Sequence, residues 1–504
     1  MTPDTFQRDL CSLTVPNDMG YLSVALGFVR NVAEHLGFAE ADLHHIELAV
    51  EEAASNVIQH AFPTSEAASF DIVCHKIASG LEICIHDKGL PWDPTLDEDY
   101  HPDANLKEQT GRGLGEYLIK HLVDGYTYLN LGHDGKQVRL VKYLGTRRVG
   151  DGNRDGEADR AMAKPAKPPW PRAEPLEFDI RPMRRNEAID VSRTIYDSYG
   201  YSYASDFVYY PDRIAAMNER GEMLSAIAVA RNSGEIVGHN ALLFSDKLPA
   251  EVAIAATKQQ FRGHGIAQKL AKFLEDRASA MGLKGLYMKE VTVHPYTQKF
   301  AQKLGFQDCG VLLAHSPKTL SFKGIADEAM QRNSDVLGFK QIGTIEPREL
   351  YIPDWHDQIL ASIYSNLGIP LRSRSSTAIP SVDGNTVIKS ILNPSRSLCE
   401  IHVSHYGGDF PGMLKQELRR IRQHEIQLVE MYLNLADDCT PWAVSEAETI
   451  GFFFTGILPE TAEGDSIILQ YFNGIQVEYD ELVIDRPGTV KLLEYVKALD
   501  PTMV

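Results

Sequence analysis

The chain of 504 residues suggests about three domains at ~150 residues each, and its 43% hydrophobic content predicts globular domains rather than disorder. The formal net charge of −19 argues against a general nucleic-acid binder, which needs a basic face, but a helix N-terminus can still bind a small anion. Six scattered cysteines, no signal peptide and no apolar run of ~18 residues predict a cytoplasmic protein with free thiols and no membrane segment.

The first element with chemical content is a predicted helix over residues 41–62, where apolar residues recur at helical spacing. Glu52 and Asn56 are four residues apart and therefore lie on one face of this helix. A carboxylate can act as a general base, and an amide oxygen one turn later can ligate magnesium. Such a pair more often belongs to a solvated helix face, so the pattern is not specific by itself.

An alternating strand over residues 81–89 follows and ends in Asp87-Lys88-Gly89. A buried aspartate can accept a hydrogen bond from an adenine amino group, and the glycine lets the chain turn close to the ring. About twenty residues later the sequence Thr-Gly-Arg-Gly-Leu-Gly at 110–115 opens a predicted helix, and another strand is predicted at Lys136–Leu144. Glycines at a helix start expose backbone N–H groups toward phosphate, so this segment predicts phosphate contacts.

Three such elements in this order and spacing resemble the N, G1 and G2 boxes of the GHKL ATPase superfamily. The patterns E-E-A-x-x-N, D-x-G-x-P-W-D-P and G-R-G-L-G resemble its anti-sigma-factor serine-kinase branch, over residues 5–145. The resemblance implies ATP and magnesium as ligands, with Glu52 as the catalytic base and Asn56 as the magnesium ligand. It further implies nucleotide contacts from Asp87, Gly89, Gly111, Arg112, Gly113, Leu114 and Gly115. In that family the phosphate acceptor is a serine of an anti-anti-sigma partner, and homodimers are usual.

Residues 146–175 are rich in proline, glycine and charge, and predict a linker after a first domain at 1–145. A weaker break near 316–338, a helical or irregular passage, separates two further α/β segments, which we predict as domains 176–320 and 321–504. These segments share a faint repeat, LGFQDCGVL at 304–312 and IGFFFTGIL at 450–458. Gly-Phe after a helix is common, so chance is the alternative; we favour a real repeat.

In the middle segment, two strands over residues 224–244 and a third at Glu251–Ala256 lead into a glycine-containing turn and a helix. Glycines between a strand and a helix start indicate pyrophosphate binding by backbone N–H groups and the helix dipole. The arrangement over about residues 178–315 resembles the GNAT acetyltransferase fold, with the fingerprint R/Q-x-x-G-x-G/A. The resemblance implies that acetyl-CoA contacts Arg262, Gly263, His264, Gly265, Ile266 and Ala267.

The catalytic groups of this segment are less determined. GNAT enzymes often carry a tyrosine in the last helix as a general acid toward the coenzyme A thiolate, and that position here is Ala301. His294 can carry protons, because an unperturbed histidine titrates near pH ~6.5, or it can cap the helix. Glu251 and Glu290 are alternative bases for deprotonating an amine. Tyr287 and Tyr296 are alternatives for the general acid, and the sequence does not choose between them.

Residues 340–504 carry a strand–helix series without the R-x-x-G-x-G/A pattern and resemble a degenerate second GNAT-like unit with a structural or interaction role. The predicted fold class is therefore α+β multidomain: a GHKL (Bergerat) α/β sandwich, a GNAT fold and a GNAT-like C-terminal domain. One functional hypothesis is a bacterial-type signalling enzyme that combines a serine/threonine-kinase-like anti-sigma domain with an N-acetyltransferase. The other is a regulatory module that senses ATP and acetyl-CoA and binds an anti-anti-sigma protein or a sigma factor. Glu52 favours the first, Ala301 the second, and the acetyl acceptor is not specified.

Overall fold

The computed structural model describes residues 10–62, 67–77, 80–91, 114–144, 176–316, 331–381 and 384–503. The chain forms two compact units, one of residues 1–174 with 206–213 and one of residues 175–205 with 214–504. The predicted linker at 146–175 lies outside the described residues, and so do Gly111, Arg112 and Gly113. The predicted domain boundaries stay a prediction, and each unit is taken by itself below.

The first unit is a five-stranded antiparallel sheet with helices. Its strands are β1 (Leu10–Pro16), β2 (Ser69–Ile77), β3 (Gly80–Asp87), β4 (Gly125–Asn130) and β5 (Lys136–Tyr143). Its helices are α1 (Leu22–Leu36), α2 (Glu40–Asn56) and α3 (Leu114–Leu122). The strand order is β1-β2-β3-β5-β4. The predicted helix at 41–62 is confirmed as α2 together with a π-helical turn at Val57–Ala61.

The helices cover one face of this sheet because the apolar side chains of each element point to the same side. Along β3, Leu81, Ile83 and Ile85 alternate toward a core that also takes Ile46 and Val50 from α2. Period-2 alternation in the strand and helical spacing in α2 therefore meet in one hydrophobic layer. The predicted α/β sandwich is confirmed in this unit.

The second unit is larger and contains a twelve-stranded sheet. Its first half, residues 178–341, consists of β6 (Phe178–Pro182), α4 (Ala188–Tyr199), α5 (Pro211–Glu219), β7 (Met223–Ala230), β8 (Ile236–Leu243), β9 (Ala250–Thr257), α6 (Ile266–Ala280), β10 (Gly285–Val291), α7 (Tyr296–Lys303), β11 (Gln307–Ser316) and β12 (Asn333–Gln341). Its second half, residues 348–499, consists of β13 (Arg348–Tyr351), α8 (Asp357–Leu367), β14 (Leu371–Arg374), β15 (Val387–Asn393), β16 (Leu398–His405), α9 (Phe410–Gln423), β17 (Leu428–Asn434), α10 (Thr440–Ile450), β18 (Phe453–Thr461), β19 (Gly464–Phe472) and α11 (Pro487–Leu499).

The two halves repeat one strand order. In the large sheet, β8-β9-β10-β12-β11 of the first half is followed by the mirrored series β18-β19-β17-β16-β15 of the second. In each half the central pair, β9–β10 or β16–β17, is parallel and is connected by a helix, as a parallel pair requires. Strands β11 and β18 join the halves as an antiparallel pair. The faint sequence repeat therefore coincides with a repeat of topology.

One local expectation is wrong. Residues 333–338, within the passage predicted as helical or irregular, form the first part of β12. This strand lies between β10 and β11 and completes the sheet of the first half. Residues 334–339 are all buried, so buried and exposed side chains do not alternate along this strand. Such a run carries no two-residue period, which is why periodicity did not reveal it.

Candidate functional sites

In the first unit, the end of α2 and the turn after β3 are in direct contact. The N–H of Leu90 donates to the carbonyl oxygen of Ala61, in the π-helical turn that follows Asn56. A Cβ on Gly89 would clash with the same carbonyl. Only glycine therefore allows this close approach, which brings the predicted adenine-binding turn against the π-helical turn at the end of α2.

Asp87 is buried and already has two donors. The N–H of Gly89 donates to its Oδ1 at 2.9 Å, and the buried Lys136 ammonium donates to the same oxygen. No hydrogen bond among the described residues involves Oδ2, which leaves that oxygen for an amino group of a base. Sequence reasoning missed Lys136, whose only signal was a lysine in a predicted strand directly after Gly135. That glycine has φ of +90° and passes over the Asp87 carbonyl, where a Cβ would clash.

Glu52 is half-buried and Asn56 exposed on the same face of α2. Within the described part of the chain, neither side chain makes a hydrogen bond or an ion pair. No described residue therefore occupies either side chain. Of the predicted phosphate-binding residues, Leu114 and Gly115 begin α3, and Gly111, Arg112 and Gly113 lie outside the described residues.

In the second unit, residues 262–267 form an open turn ahead of α6. Gly263 and Gly265 have φ of +89° and +72°, and a Cβ on either would meet nothing within 4 Å. Gly265 is the N-cap of α6, and Ile266 and Ala267 form its first turn, so backbone N–H groups face open space. The ring of His264 is turned back onto the Phe261 carbonyl at 3.1 Å. This is a shape that a phosphate can approach at a helix N-terminus.

Strands β9 and β10 separate beside this turn. They pair only at Ala250 with Leu286 and at Glu251 with Tyr287, although both strands are described over their full length. Among the described residues, no strand pairs with the β10 side of β9 beyond Glu251. Ile254 has φ of +58°, and its register with β8 contains one extra residue, so β9 carries a bulge there. The result is a gap between two parallel strands with strained backbone at its rim.

Two tyrosine hydroxyls and a histidine hold the bulge. The Ile254 N–H donates to the hydroxyl of Tyr203 at 3.1 Å, and the hydroxyl of Tyr199 donates to the Ala255 carbonyl at 2.8 Å. His239 contacts the Ile254 carbonyl through Nδ1 at 2.9 Å. Burial lowers the pKa of His239 to about 4, so the ring is neutral at pH 7. These side chains were not recognised in the sequence, because nothing local marks contacts to a strand that lies 15 to 56 residues away.

The two carboxylates considered as bases lie in different surroundings. Glu290 is fully buried, and burial together with Asp308 raises its pKa to about 9; Arg486 lies 3.5 Å from it. Glu251 accepts a hydrogen bond from Tyr287 at 2.9 Å and lies 3.3 Å from the Lys289 ammonium. Burial alone would raise the pKa of Glu251, but Lys289, Tyr287 and Arg396 hold it below its ordinary value. Glu251 is thus a retained anion next to the gap, whereas Glu290 belongs to a sealed cluster.

His294 and the tyrosines are also placed. His294 is buried, and burial lowers its pKa. Its ring lies 5.2 Å from that of Tyr296, which is 62% exposed. Ala301 is fully buried in the core of the first half, and its methyl side chain has no proton to donate. Tyr287 is the tyrosine that the structure brings to Glu251.

The second half has no corresponding gap. Strands β16 and β17 pair from Leu398–Leu428 through Val403–Leu433 without separating. Before α9, the carboxylate of Asp409 accepts from the Thr386 N–H at 2.9 Å and from its hydroxyl at 2.6 Å. A fixed carboxylate at this helix start would repel a phosphate. A cavity of about 440 Å³ between β15 and α9 is lined by none of the residues predicted to bind nucleotide or coenzyme A.

These two sites define an ATP-binding domain of the histidine kinase-like type and a GNAT domain in one chain. Residues 15–142 match the family model of the histidine kinase-like ATPase domain, and residues 190–306 match that of the acetyltransferase (GNAT) family. The serine-protein kinase RsbW of Bacillus mycoides is 31% identical over 147 residues, which cover 28% of this chain and 89% of the relative. RsbW of Bacillus subtilis is 27% identical over 145 residues, covering 28% and 89%. Through its N-terminal domain, the chain belongs to the family of these serine-protein kinases.

Solved acetyltransferases are similar to part of this chain. An N-acetyltransferase of Staphylococcus aureus Mu50 is 17% identical, with a TM-score of 0.26 and coverage of 33% of this chain and 99% of that one. The ribosomal-protein-S18-alanine N-acetyltransferase of Escherichia coli is 14% identical, with a TM-score of 0.28 and coverage of 35% and 100%. Among the helices in the described ranges, none is long and apolar enough to cross a membrane.

Proposed function

We propose that this protein joins a magnesium-ATP-dependent serine-kinase-type domain to an acetyl-CoA-dependent N-acetyltransferase. The observation that carries the transferase is the gap between β9 and β10 beside the open turn at 262–267. The second half supplies an internal comparison, because its equivalent strands stay paired and its helix start holds a carboxylate. A single chain thus contains one half shaped for coenzyme A and one half without that shape.

In the transferase, the diphosphate of acetyl-CoA would bind at Gly263, Gly265 and the first turn of α6. The pantetheine arm would lie in the gap, where its amide groups can bond to the uncovered edge of β9. The acetyl carbonyl would then reach the bulge at Ile254, close to Glu251 and Tyr287. An amine held at Glu251 attacks the acetyl carbon; the N–C bond forms, the C–S bond breaks, and the proton that nitrogen loses ends on the thiolate sulfur.

In the kinase-type domain, Asp87 Oδ2 would accept from the adenine amino group while Oδ1 stays bonded to Lys136. Asn56 would ligate magnesium through its amide oxygen, and Glu52 would take the proton of an attacking hydroxyl. The relatives are named serine-protein kinases. We therefore propose a serine of a regulatory protein, of the anti-anti-sigma type, as the phosphate acceptor. A sigma factor is the corresponding binding partner.

A purely regulatory binding protein is the second candidate. It is favoured by Ala301, which stands at the position where GNAT enzymes often carry the tyrosine that acts as general acid. Such a protein would bind both nucleotides and turn over neither. Binding of acetyl-CoA without release of free thiol, with any amine acceptor, distinguishes this candidate from the transferase.

Calorimetric titration of the full chain with acetyl-CoA tests the site directly. Gly265→Glu places a side chain and a negative charge in the turn. Gly221→Glu is a matched control, because Gly221 has the same φ of +72° and equally open surroundings. We expect binding to be lost in Gly265→Glu alone. Unchanged binding in that variant would remove the turn from consideration, and equal losses in both variants would point to general damage.

A further inference from the structure

The five-stranded sheet of the first unit carries metal-binding side chains on the face away from its helices. Alternation along β3 places Leu81, Ile83 and Ile85 in the hydrophobic core beneath the helices. Glu82 and Cys84 alternate with these residues and therefore point to the opposite face. Because β3 has a neighbouring strand on either side, the backbone from which both side chains project is fixed.

The strand register brings a histidine to the same place. His75 of β2 is paired directly with Glu82, and Val73, two residues earlier, is paired with Cys84. His75 follows the core residue Cys74, so its ring also points away from the helices. One ring nitrogen of His75, a carboxylate oxygen of Glu82 and the sulfur of Cys84 all lie within 4.8 Å of one another. Three different donor atoms thus converge from two adjacent strands.

The three side chains have few other partners. Within the ranges that the structure describes, His75 makes no hydrogen bond or ion pair, and Cys84 is a free thiol that is 2% exposed. Glu82 lies 3.4 Å from Nε of Arg139, on the neighbouring strand β5. This Nε is buried and has no hydrogen-bond acceptor among the described residues. The carboxylate of Glu82 is therefore held only loosely, and a ligand can recruit it.

A nitrogen, a sulfur and an oxygen donor together select a class of ion. Magnesium and calcium prefer oxygen ligands throughout, whereas zinc binds histidine, cysteine and carboxylate in tetrahedral sites. On a tetrahedral zinc ion with bonds of about 2.0–2.3 Å, the ligand atoms are roughly 3.3–3.8 Å apart. The donor atoms therefore have to approach by about 1.5 Å at most, through rotation of the partly exposed His75 and Glu82 side chains.

We propose that His75, Glu82 and Cys84 form a binding site for a divalent transition-metal ion of the zinc class, with a fourth coordination position open to water. Cys84 binds as the thiolate, and its proton passes to the solvent. Arg139 then holds the ligating carboxylate from outside, as outer partners of metal ligands commonly do. Cys84 lies three residues before Asp87 on β3, so the ion fixes the strand that carries the predicted adenine contact. The site is separate from both proposed activities.

Titration of the full chain, reduced and free of metal, with Co²⁺ tests whether the sulfur is a ligand. Cobalt(II) accepts the same donors as zinc, and a cobalt–thiolate bond gives a charge-transfer absorption in the near ultraviolet. We expect this absorption to saturate at one ion per chain, to disappear when Zn²⁺ is added and to survive an excess of Mg²⁺. Cys84→Ser should abolish it. His75→Ala should weaken zinc binding, measured by calorimetry, about a hundredfold, because one of three protein ligands is lost.

Cys11→Ser and His44→Ala are the matched controls. Cys11 is an exposed thiol on β1 of the same sheet, and His44 is exposed on α2. Both variants should keep the cobalt spectrum and the zinc affinity of the wild type.

The site would be overturned by a wild type without charge-transfer absorption, by persistence of the absorption in Cys84→Ser, or by full zinc affinity in His75→Ala. Losses of the same size in the controls would also overturn it. Because His75 is only partly buried, His75→Ala keeps the test decisive if Cys84→Ser fails to fold. The titrations contain neither ATP nor acetyl-CoA, so their outcome does not depend on the proposed function.

Discussion

Gly310 of β11 and Gly456 of β18 lie opposite each other where the sheets of the two halves join. A Cβ on Gly456 would clash with the Cα of Gly310 and with the Cys309 carbonyl oxygen. These residues are the second glycines of the two repeated sequence segments. The repeat is therefore explained by the close approach of equivalent strands across the junction.

Replacing Gly456 with alanine should destabilise the second unit. The added methyl group has to displace the β11 backbone, at a cost of about 1–3 kcal/mol in the free energy of unfolding. Urea unfolding of the full chain measures the loss. Gly412→Ala is the control, because its Cβ meets nothing within 4 Å and alanine favours the helix α9. A Gly456→Ala protein as stable as the control would show that the junction tolerates a wider spacing.

Glu52→Ala should abolish phosphate transfer and spare ATP binding. The half-buried carboxylate is assigned to proton removal, and the contacts assigned to adenine come from Asp87, on another element. Release of γ-phosphate from magnesium-ATP and nucleotide affinity are measured on the same protein. Glu51→Ala, at the exposed neighbouring position on α2, should leave both unchanged. Normal turnover with weakened affinity in Glu52→Ala would contradict the assignment of a base.

The Asp87–Lys136 pair should behave as a unit. Lys136→Met leaves a buried carboxylate without its cation, which costs about 3–5 kcal/mol of stability when one partner of a buried pair is removed. Adding Asp87→Asn should recover most of this loss, because no charge then remains. The affinity of the double variant for ATP should nevertheless stay low, because the carboxylate that accepts the adenine amino group is missing. Urea unfolding of the wild type, the two single variants and the double variant gives the coupling free energy between Asp87 and Lys136. Purely additive losses of unfolding free energy would show that the two residues do not interact.

Stability of the second unit should fall as pH rises. Glu290 has a pKa near 4.5 when unfolded and about 9 when folded, so between these values the folded state binds the extra proton. The contribution of Glu290 to the free energy of unfolding is fully present below pH 4.5. It is lost progressively as the pH rises through 9. Glu290→Gln should flatten the decline in unfolding free energy between pH 5 and 9. Glu463→Gln, at a side chain 40% exposed, should not; an unchanged slope in Glu290→Gln would place the titration elsewhere.

Short-range signals predicted much of the fold. The Glu52–Asn56 spacing, the strand ending at Asp87 and the turn at 262–267 each depend on a few consecutive residues. The structure ends α2 at Asn56 and β3 at Asp87, and it begins α6 at Ile266. Strand β9 was predicted at 251–256 and found at Ala250–Thr257. By contrast, β12 was missed because its buried run has no period, and Lys136 was missed because its partner is 49 residues away.

Sequence by itself determined where most helices and strands form and where glycines let the chain turn before a helix, because these properties follow from local periodicity and backbone freedom. Only the tertiary structure decided that β9 separates from β10 while β16 stays beside β17, since pairing between strands depends on residues far apart in the chain. It also decided which charges meet: Arg486 lies against both Glu290 and Asp308, whereas Glu251 contacts Tyr287 and Lys289. The reason is physical, because a charge acquires its role from the solvent and the counter-ions around it, and those are assembled only when the sheet folds.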